Sequence, residues 1–177
     1  MTKVINLFGG PNSGKSTVAA GLFFHLKLRH FHCEMVREYI KSWAWENKKP
    51  GTYDQPFIFG KQLRYESMLY GKEDYVITDS PLILSAFYEE FYEGESIIRT
   101  SAANFMTKAT NNGVEYINFW LDMVEDIDIR GRFGDANVFS ETSCQMRKWL
   151  KHNQIDFVEV PRILDGRSRV EFIIDHI

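Results

Sequence analysis

The sequence predicts an α/β protein in which helices cover both faces of a parallel sheet. Short apolar segments alternate with longer segments of helical spacing along the 177 residues. Strands that alternate with helices pair in parallel, because each helix returns the chain to the edge where the next strand starts. A glycine-rich turn, GGPNSGKST, joins the first apolar segment to the first helical one. With 44% hydrophobic and 15% aromatic residues the chain can bury a core of its own, so we expect one domain over residues 1–177.

The first half of the chain contains three of the expected strands. Residues 3–8 are mostly branched and apolar and end at two glycines, which is typical of a buried strand. Residues 15–29 follow as a helix, since Val18, Leu22 and Leu26 are spaced by four positions. The other elements predicted in this half are strands over 33–36 and 74–79 and a helix over 55–70.

The second half continues the alternation. Residues 114–121, VEYINFWL, are rich in β-branched and aromatic side chains and predict a strong strand. Residues 156–161 predict a fifth strand, which Pro161 ends. Helices are predicted over 82–92, 97–110, 138–152 and 167–176.

The composition limits the classes of function. The formal net charge of −3 argues against a general attraction to the backbone of nucleic acids. Cys33 and Cys144 form neither a disulfide framework nor a metal-ligand spacing, which is typical of a reducing compartment. The N-terminal segment lacks the apolar length of a signal peptide, and no run reaches the ~18 apolar residues of a membrane span. We therefore expect a cytoplasmic protein that binds neither a membrane nor nucleic acid. The composition leaves open whether the protein forms homo-oligomers.

The glycine-rich turn fits a phosphate-binding loop. Gly9, four further residues and Gly14-Lys15-Ser16 match G-x-x-x-x-G-K-[ST] in full, with a strand before and a helix after. Glycines let successive backbone N–H groups point inward, and the N-terminus of the following helix adds more of them. Lys15 is predicted to reach the β- and γ-phosphates of ATP, and Ser16 to offer its hydroxyl to Mg²⁺. The predicted nucleotide-binding residues are Gly9, Gly10, Pro11, Asn12, Ser13, Gly14, Lys15, Ser16 and Thr17.

Such a loop occurs in switches, motors and kinases. A GTP switch needs N-K-x-D after a late strand, whereas the Asn47-Lys48 pair is followed by Lys49-Pro50 in a predicted loop. A ring ATPase of the helicase or unfoldase type needs a larger chain, usually with a helical lid domain. A small-molecule kinase instead needs a carboxylate beside the acceptor and an arginine-bearing lid, and the chain offers candidates for both.

Two carboxylates follow predicted strands. Arg37 and Glu38 follow the second strand, and Asp79 ends the third, so both carboxylates are expected at the carboxyl edge of the sheet, where α/β proteins bind ligands. Asp79 could bind Mg²⁺ or take the proton of the acceptor, and Glu38 could orient or deprotonate the acceptor hydroxyl. The sequence leaves the role of catalytic base open between these two residues.

Further candidates lie on a loop and a helix. Arg130 and Arg132 flank Gly131 in a polar segment, about 123–137, that could close over the transferred phosphate and neutralise its charge. Gln62 and Tyr65 on the helix over 55–70 are predicted substrate-binding residues, together with Arg37 and Glu38.

Taken in order, GGPNSGKST, the REY of residues 37–39, the strand ending at Asp79, the DIRGR of residues 128–132 and the FVEV of residues 157–160 resemble a small family of P-loop kinases. This family includes the nicotinamide-riboside kinase domain of NadR-type proteins, and AAA-domain nucleotide kinases of bacteriophages share the pattern. The resemblance covers nearly the whole chain.

The resemblance implies a three-layer α/β/α P-loop NTPase fold with a five-stranded parallel sheet of order 2-3-1-4-5 and a short arginine-bearing lid. It implies a Mg·ATP donor and a nucleoside-like or nucleotide-like acceptor, with Glu38 and Asp79 as acceptor or metal carboxylates and Arg130 and Arg132 as lid arginines. We expect an ATP-dependent kinase of a nucleoside or nucleoside monophosphate. The alternatives are a nicotinamide-riboside kinase, a kinase of a modified base in DNA, and a non-catalytic ATP-binding regulator.

Overall fold

The fold is a five-stranded, all-parallel sheet with helices on both faces. A computed structural model of the chain describes residues 1–51, 53–124, 130, 135–163 and 165–177. The strand order is β2-β3-β1-β4-β5, which confirms the predicted fold class and order. In the centre, Ile5 of β1 lies in register with Ile77 on one side and Ile117 on the other. The strands are β1 (Thr2–Phe8), β2 (Cys33–Val36), β3 (Tyr75–Thr78), β4 (Val114–Leu121) and β5 (Val158–Val160).

The helices agree with the predicted ones within a few residues at their ends, apart from one that the sequence did not predict. This helix has five residues, too few for an apolar period to be recognised. The helix predicted over 138–152 begins two residues earlier, because Asp135 caps it by accepting hydrogen bonds from the backbone N–H groups of Asn137 and Val138. The helices are α1 (Lys15–Leu28), α2 (Lys41–Trp45), α3 (Asp54–Ser67), α4 (Leu84–Glu93), α5 (Ile98–Asn111), α6 (Ala136–His152) and α7 (Gly166–Ile174).

Alternate side chains of β1 supply the cores on the two faces of the sheet. Ile5 and Leu7 pack with α1 and α7, whereas Phe8 packs with α3, α4, α5 and α6. The contact of α1 with α7 depends on Gly21, since a Cβ atom there would lie 2.6 Å from Cγ2 of Val170. The two helices therefore approach closely, and the last helix of the chain is held against the helix that follows the glycine-rich turn. Among the described residues, no helix is both long enough and apolar enough to cross a membrane.

The buried side of α3 carries a carboxyl group. Glu66 is fully buried, its Oε1 accepts a hydrogen bond from the hydroxyl of Tyr70, and that hydroxyl lies 2.9 Å from the hydroxyl of Tyr116. Within the part of the chain that the structure describes, Oε2 of Glu66 has no hydrogen-bond partner. Burial raises the pKa of Glu66 to about 7, although the hydrogen bond from Tyr70 opposes this shift.

We expect this carboxyl group to make the stability of the fold depend on pH. Between the ordinary pKa of 4.5 and the folded value of about 7, the folded chain binds a proton that the unfolded chain releases. The stabilisation is therefore complete below pH 4.5 and is lost as the pH rises through about 7. The difference amounts to about 3 kcal/mol of unfolding free energy.

The matching variant is Glu66→Gln, which keeps the shape and removes the titration. Denaturant unfolding between pH 4 and 8, a span of about four units around the shifted pKa, should show a flatter dependence than in the wild type. Glu115→Gln, on an exposed position of β4, is the control and should leave the dependence unchanged. An equal pH dependence in Glu66→Gln and the wild type would contradict the expectation.

Candidate functional site

The loop after β1 is built around positions that only small residues can occupy. Gly9 and Gly14 have φ angles of 146° and 81°, in a region that favours glycine. A Cβ atom on Gly9 would collide with the carbonyl oxygen of Leu121 at the end of β4, and one on Gly10 would lie 2.6 Å from Cβ of Ser143. The loop is thus pressed between the end of β4 and helix α6, and its glycines are required by contact as well as by conformation.

Lys15 turns its side chain back over this loop. Its ammonium group donates hydrogen bonds of 2.8 Å to the carbonyl oxygens of both Gly9 and Gly10, and one of 3.3 Å to Oγ of Ser13. Among the described residues, no side chain caps the N-terminus of α1, and its first turn carries no acidic residue. A positive charge and a positive helix end therefore face the same small region, an arrangement that favours phosphate.

Asp79 joins three segments of the predicted site. It is 6% exposed, its Oδ2 accepts a hydrogen bond of 2.6 Å from the hydroxyl of Ser16, and its Oδ1 accepts one of 3.0 Å from the backbone N–H of Glu38. The structure thereby brings Ser16, Asp79 and the backbone of Glu38 together at the carboxyl edge of the sheet. Arg37, next in sequence, is exposed.

The charge of Glu38 affects Tyr88 of helix α4. The side chain of Glu38 is half-buried, and its charge adds to the effect of burial in raising the pKa of Tyr88 above its usual range. The carboxylate of Glu38 and the phenol of Tyr88 therefore lie near each other. Tyr88 was not predicted, because nothing in FYEEFY distinguishes this aromatic ring from those that only pack in the core.

The two residues predicted on α3 have different surroundings. Gln62 is 2% exposed, and its Nε2 donates a hydrogen bond of 3.4 Å to Oγ1 of Thr78, the residue before Asp79. Tyr65 is 44% exposed, and its ring centre lies 6.4 Å from that of Tyr39. Gln62 therefore reaches the site from inside the protein, whereas Tyr65 belongs to its rim.

That rim is an aromatic cluster, which we define as Tyr39, Trp43, Phe57 and Tyr65. The ring centres of Tyr39 and Phe57 are 5.6 Å apart, and the rings of Trp43 and Phe57 stack at 6.4 Å. Helix α2 provides Trp43, so the unpredicted helix positions part of the cluster. The cluster begins one residue after Glu38, on the side of the sheet edge formed by β2 and β3.

On the other side of the loop a cavity of about 910 Å³ lies between the end of β4 and α6. Its lining includes Met123, Ser143, Arg147, Lys148 and Arg162, and it adjoins the loop because Ser143 contacts Gly10. Arg147 forms ion pairs with Glu159 and, at 4.0 Å, with Asp122.

The predicted lid falls largely outside the described residues. Arg132 lies outside them, as do residues 125–129 and the other residues of 131–134. Arg130 is described and is exposed. The roles of Arg130 and Arg132 as lid arginines stay predictions.

A second residue of the site, after Tyr88, was also missed. Arg169 on α7 is 4% exposed, and its guanidinium group donates a hydrogen bond of 3.0 Å to the carbonyl oxygen of Ser13 in the loop. The sequence does carry a signal for it, since Arg169 stands four positions before Ile173 on the apolar side of the helix. A charged residue at an apolar position needs a polar partner.

The fold is shared with solved structures of kinases. A deoxyadenosine kinase from M. mycoides with bound dATP superposes with a TM-score of 0.63 at 20% identity, over 97% of each chain. The same enzyme with the products dCMP and dCDP gives 0.60 at 20% identity, over 98% of this chain and 97% of that one. The APS kinase of Mycobacterium tuberculosis, as a mutant, gives 0.56 at 13% identity, over 98% and 95%.

At these identities the likeness shows the fold alone, which this chain shares with these solved structures. No curated protein sequence matches the chain at a significant level. A family model does match, and it spans residues 4–167, from the first strand through the glycine-rich turn to the start of the last helix. The chain therefore belongs to the family that this model describes as the AAA domain.

Proposed function

We propose that the protein is an ATP-dependent phosphotransferase that moves the γ-phosphate of ATP to a nucleoside or a nucleoside monophosphate. The observation that carries this proposal is the hydrogen bonding of Asp79 to both Ser16 and the backbone of Glu38. Through these contacts a phosphate-binding helix and an acceptor-side carboxylate share one edge of the sheet. The likeness to solved kinases, which include a deoxyadenosine kinase, supports the same class of reaction.

The donor side is formed by the loop and Lys15. The ammonium group of Lys15 already lies within hydrogen-bond distance of three loop oxygens, so a small change of its torsions would turn it toward the phosphates. Backbone N–H groups at the start of α1 would also bind the phosphate oxygens of ATP. We place the base of ATP toward the cavity beside Ser143, because that cavity adjoins Gly10.

Ser16 and Asp79 fit a magnesium ion. A hydroxyl and a carboxylate are the oxygen donors that Mg²⁺ prefers, and the two groups lie 2.6 Å apart at the phosphate side of the loop. Mg²⁺ bound there would neutralise charge on the phosphates. Asp79 would hold this ion while keeping its hydrogen bond to the backbone N–H of Glu38.

The geometry favours Glu38 over Asp79 as the group that accepts the acceptor's proton. Both oxygens of Asp79 accept hydrogen bonds from the protein, which fixes this carboxylate as the proposed metal ligand and leaves it less available to take a proton. Glu38 carries its carboxylate on a half-buried side chain beside Tyr88, on the acceptor side. With a nucleoside as the acceptor, Glu38 would orient the sugar hydroxyl and take its proton as the new oxygen–phosphorus bond forms and the bond from the γ-phosphorus to the bridging oxygen breaks, which releases ADP.

The aromatic cluster supports a planar acceptor. Tyr39 follows Glu38 directly, and its ring lies between those of Phe57 and Tyr65, so a base could pack against the cluster while its sugar hydroxyl faces Glu38. The amide of Gln62, which donates a hydrogen bond to Thr78 next to Asp79, could recognise a base edge. Two lid arginines, Arg130 and Arg132, would favour an acceptor that already carries a phosphate.

The test is acceptor-dependent release of ADP. The protein is incubated with Mg·ATP and, separately, with each deoxynucleoside, each nucleoside monophosphate, nicotinamide riboside and a DNA duplex carrying a modified base. Stimulation by a nucleoside or a monophosphate is the expected result. Tight binding of ATP without stimulation by any acceptor would instead identify an ATP-binding regulator, and stimulation by nicotinamide riboside or DNA alone would identify one of the other two alternatives.

A further inference from the structure

Three separate segments of the chain meet at the guanidinium group of Arg169. Nη1 donates a hydrogen bond of 3.0 Å to the carbonyl oxygen of Ser13 in the loop and one of 3.4 Å to that of Asp122, which follows β4. Nη2 donates one of 3.5 Å to the carbonyl oxygen of Arg162, which follows β5. One side chain thus links the phosphate loop to the ends of two neighbouring strands.

Because Arg169 is buried, these hydrogen bonds are needed to stabilise its charge. A charged group removed from water is destabilising unless its donors find acceptors, and Arg169 is only 4% exposed. Burial lowers the pKa of Arg169, while the nearby charge of Asp122 opposes this effect. A guanidinium group offers five N–H donors in one plane, and this geometry suits carbonyl oxygens that come from different directions. A lysine offers its three donors at a single nitrogen and cannot reach the same set.

Helix α7 holds this side chain in place. Asp165 caps the helix by accepting a hydrogen bond of 2.7 Å from the backbone N–H of Ser168. The residue next to Arg169, Val170, fits against Gly21 of α1 without space for a further methyl group. The position of Arg169 relative to the loop is therefore fixed by the packing of α7 on α1.

The contact with Ser13 also determines the direction of a backbone donor. The peptide group that joins Ser13 to Gly14 is planar and trans, so its C=O and N–H groups point in opposite directions. Because Arg169 holds the carbonyl group, the N–H of Gly14 is turned away from α7. Gly14 has a φ of 81° and would otherwise have wide conformational freedom.

We propose that Arg169 is a positioning residue that keeps the phosphate loop in its nucleotide-binding conformation and thereby sets the affinity for nucleoside triphosphates. This inference rests on the proposed function, because it assumes that the loop binds a triphosphate. Arg169 need not touch the nucleotide; it acts through Ser13 and Gly14. Since the loop holds the phosphates both before and during transfer, loss of Arg169 should weaken binding more than it slows the chemical step.

The test compares Arg169→Lys and Arg169→Ala with the wild type. The dissociation constant for ATP is measured by calorimetry on protein whose folding is checked by circular dichroism, and KM for ATP and kcat are measured with an accepted substrate. We expect the dissociation constant and KM to rise about tenfold or more in both variants, with kcat within about threefold, as for loss of hydrogen bonds from a charged donor. Free guanidinium ions at a non-denaturing concentration should restore part of the affinity of Arg169→Ala.

The control is Arg167→Ala on the same helix. Arg167 is 83% exposed and pairs with Glu171, so its removal should leave the affinity for ATP unchanged. ATP affinity equal to that of the wild type in folded Arg169→Lys or Arg169→Ala would overturn the inference, as would loss of folding in both variants, which would make the residue purely structural. A wild-type protein that binds no nucleoside triphosphate would contradict the proposed function itself, which is a separate outcome.

Discussion

Replacement of Lys15 by alanine is expected to remove ATP-dependent turnover while the fold survives. The ammonium group of Lys15 provides a positive charge at the loop, where it donates hydrogen bonds to three oxygens of the loop itself. Charge that develops on the phosphates during transfer would have no compensation from this side chain, a loss of about 10²–10³ or more in kcat. The measurement is the rate of ADP release with an accepted substrate, beside thermal unfolding of the same sample.

Lys27→Ala provides the matched control. Lys27 lies on the same helix but pairs with Glu34 at 3.6 Å on the surface, away from the loop. The control should keep its activity, and both variants should unfold within a few degrees of the wild type. If Lys15→Ala turned over substrate as fast as the wild type, the glycine-rich turn would have no part in phosphate transfer.

Asp79→Asn is expected to have the second large effect. The substitution keeps the size of the side chain, so one hydrogen bond, from Ser16 or from the backbone of Glu38, can still form. It removes the negative charge that we propose as a magnesium ligand. We expect kcat to fall by about 10²–10³ and the magnesium concentration for half-maximal rate to rise.

Measurement of the rate against magnesium concentration also distinguishes the roles of Asp79 and Glu38. Glu38→Gln should lower kcat without changing the magnesium dependence, because we assign the proton, and not the metal, to Glu38. Asp74→Asn is the control, since Asp74 lies just before the opposite end of β3 and binds the backbone N–H of His32 on the surface. A magnesium dependence that moves in Glu38→Gln and stays fixed in Asp79→Asn would reverse the two roles.

The sequence predicted the features that depend on local patterns. The strands at 33–36 and 114–121 match the observed bounds, because short apolar runs bounded by turn residues carry their own limits. The phosphate loop could be predicted because each of its residue types has a chemical reason, and its binding of phosphate stays a prediction. The order of the strands was predicted from the resemblance to a family, because the sequence of a single strand does not indicate which strands it pairs with.

The features that were missed depend on contacts between distant parts of the chain. Helix α2 is too short to show a period, and its place depends on Trp43 stacking with Phe57 of α3. Glu66 and Arg169 were not singled out from the sequence, because charged side chains are usually exposed. Their burial arises from packing: Tyr70, just after α3, contacts both Glu66 and Tyr116 of β4, and α7 lies against the loop.

The central place of β1 has a consequence for synthesis of the chain. Of the five strands of the sheet, this one leaves the ribosome first, yet its partners are Tyr75–Thr78 and Val114–Leu121. At about 5–20 residues per second, the second partner follows on the order of ten seconds later. Until β4 emerges, four apolar side chains of β1 that end fully buried, Val4, Ile5, Leu7 and Phe8, lack the strand that flanks them on one side. Nascent chains that stop before residue 114 should therefore be sensitive to proteases and should bind chaperones. Resistance to proteases should appear only once β4 has emerged.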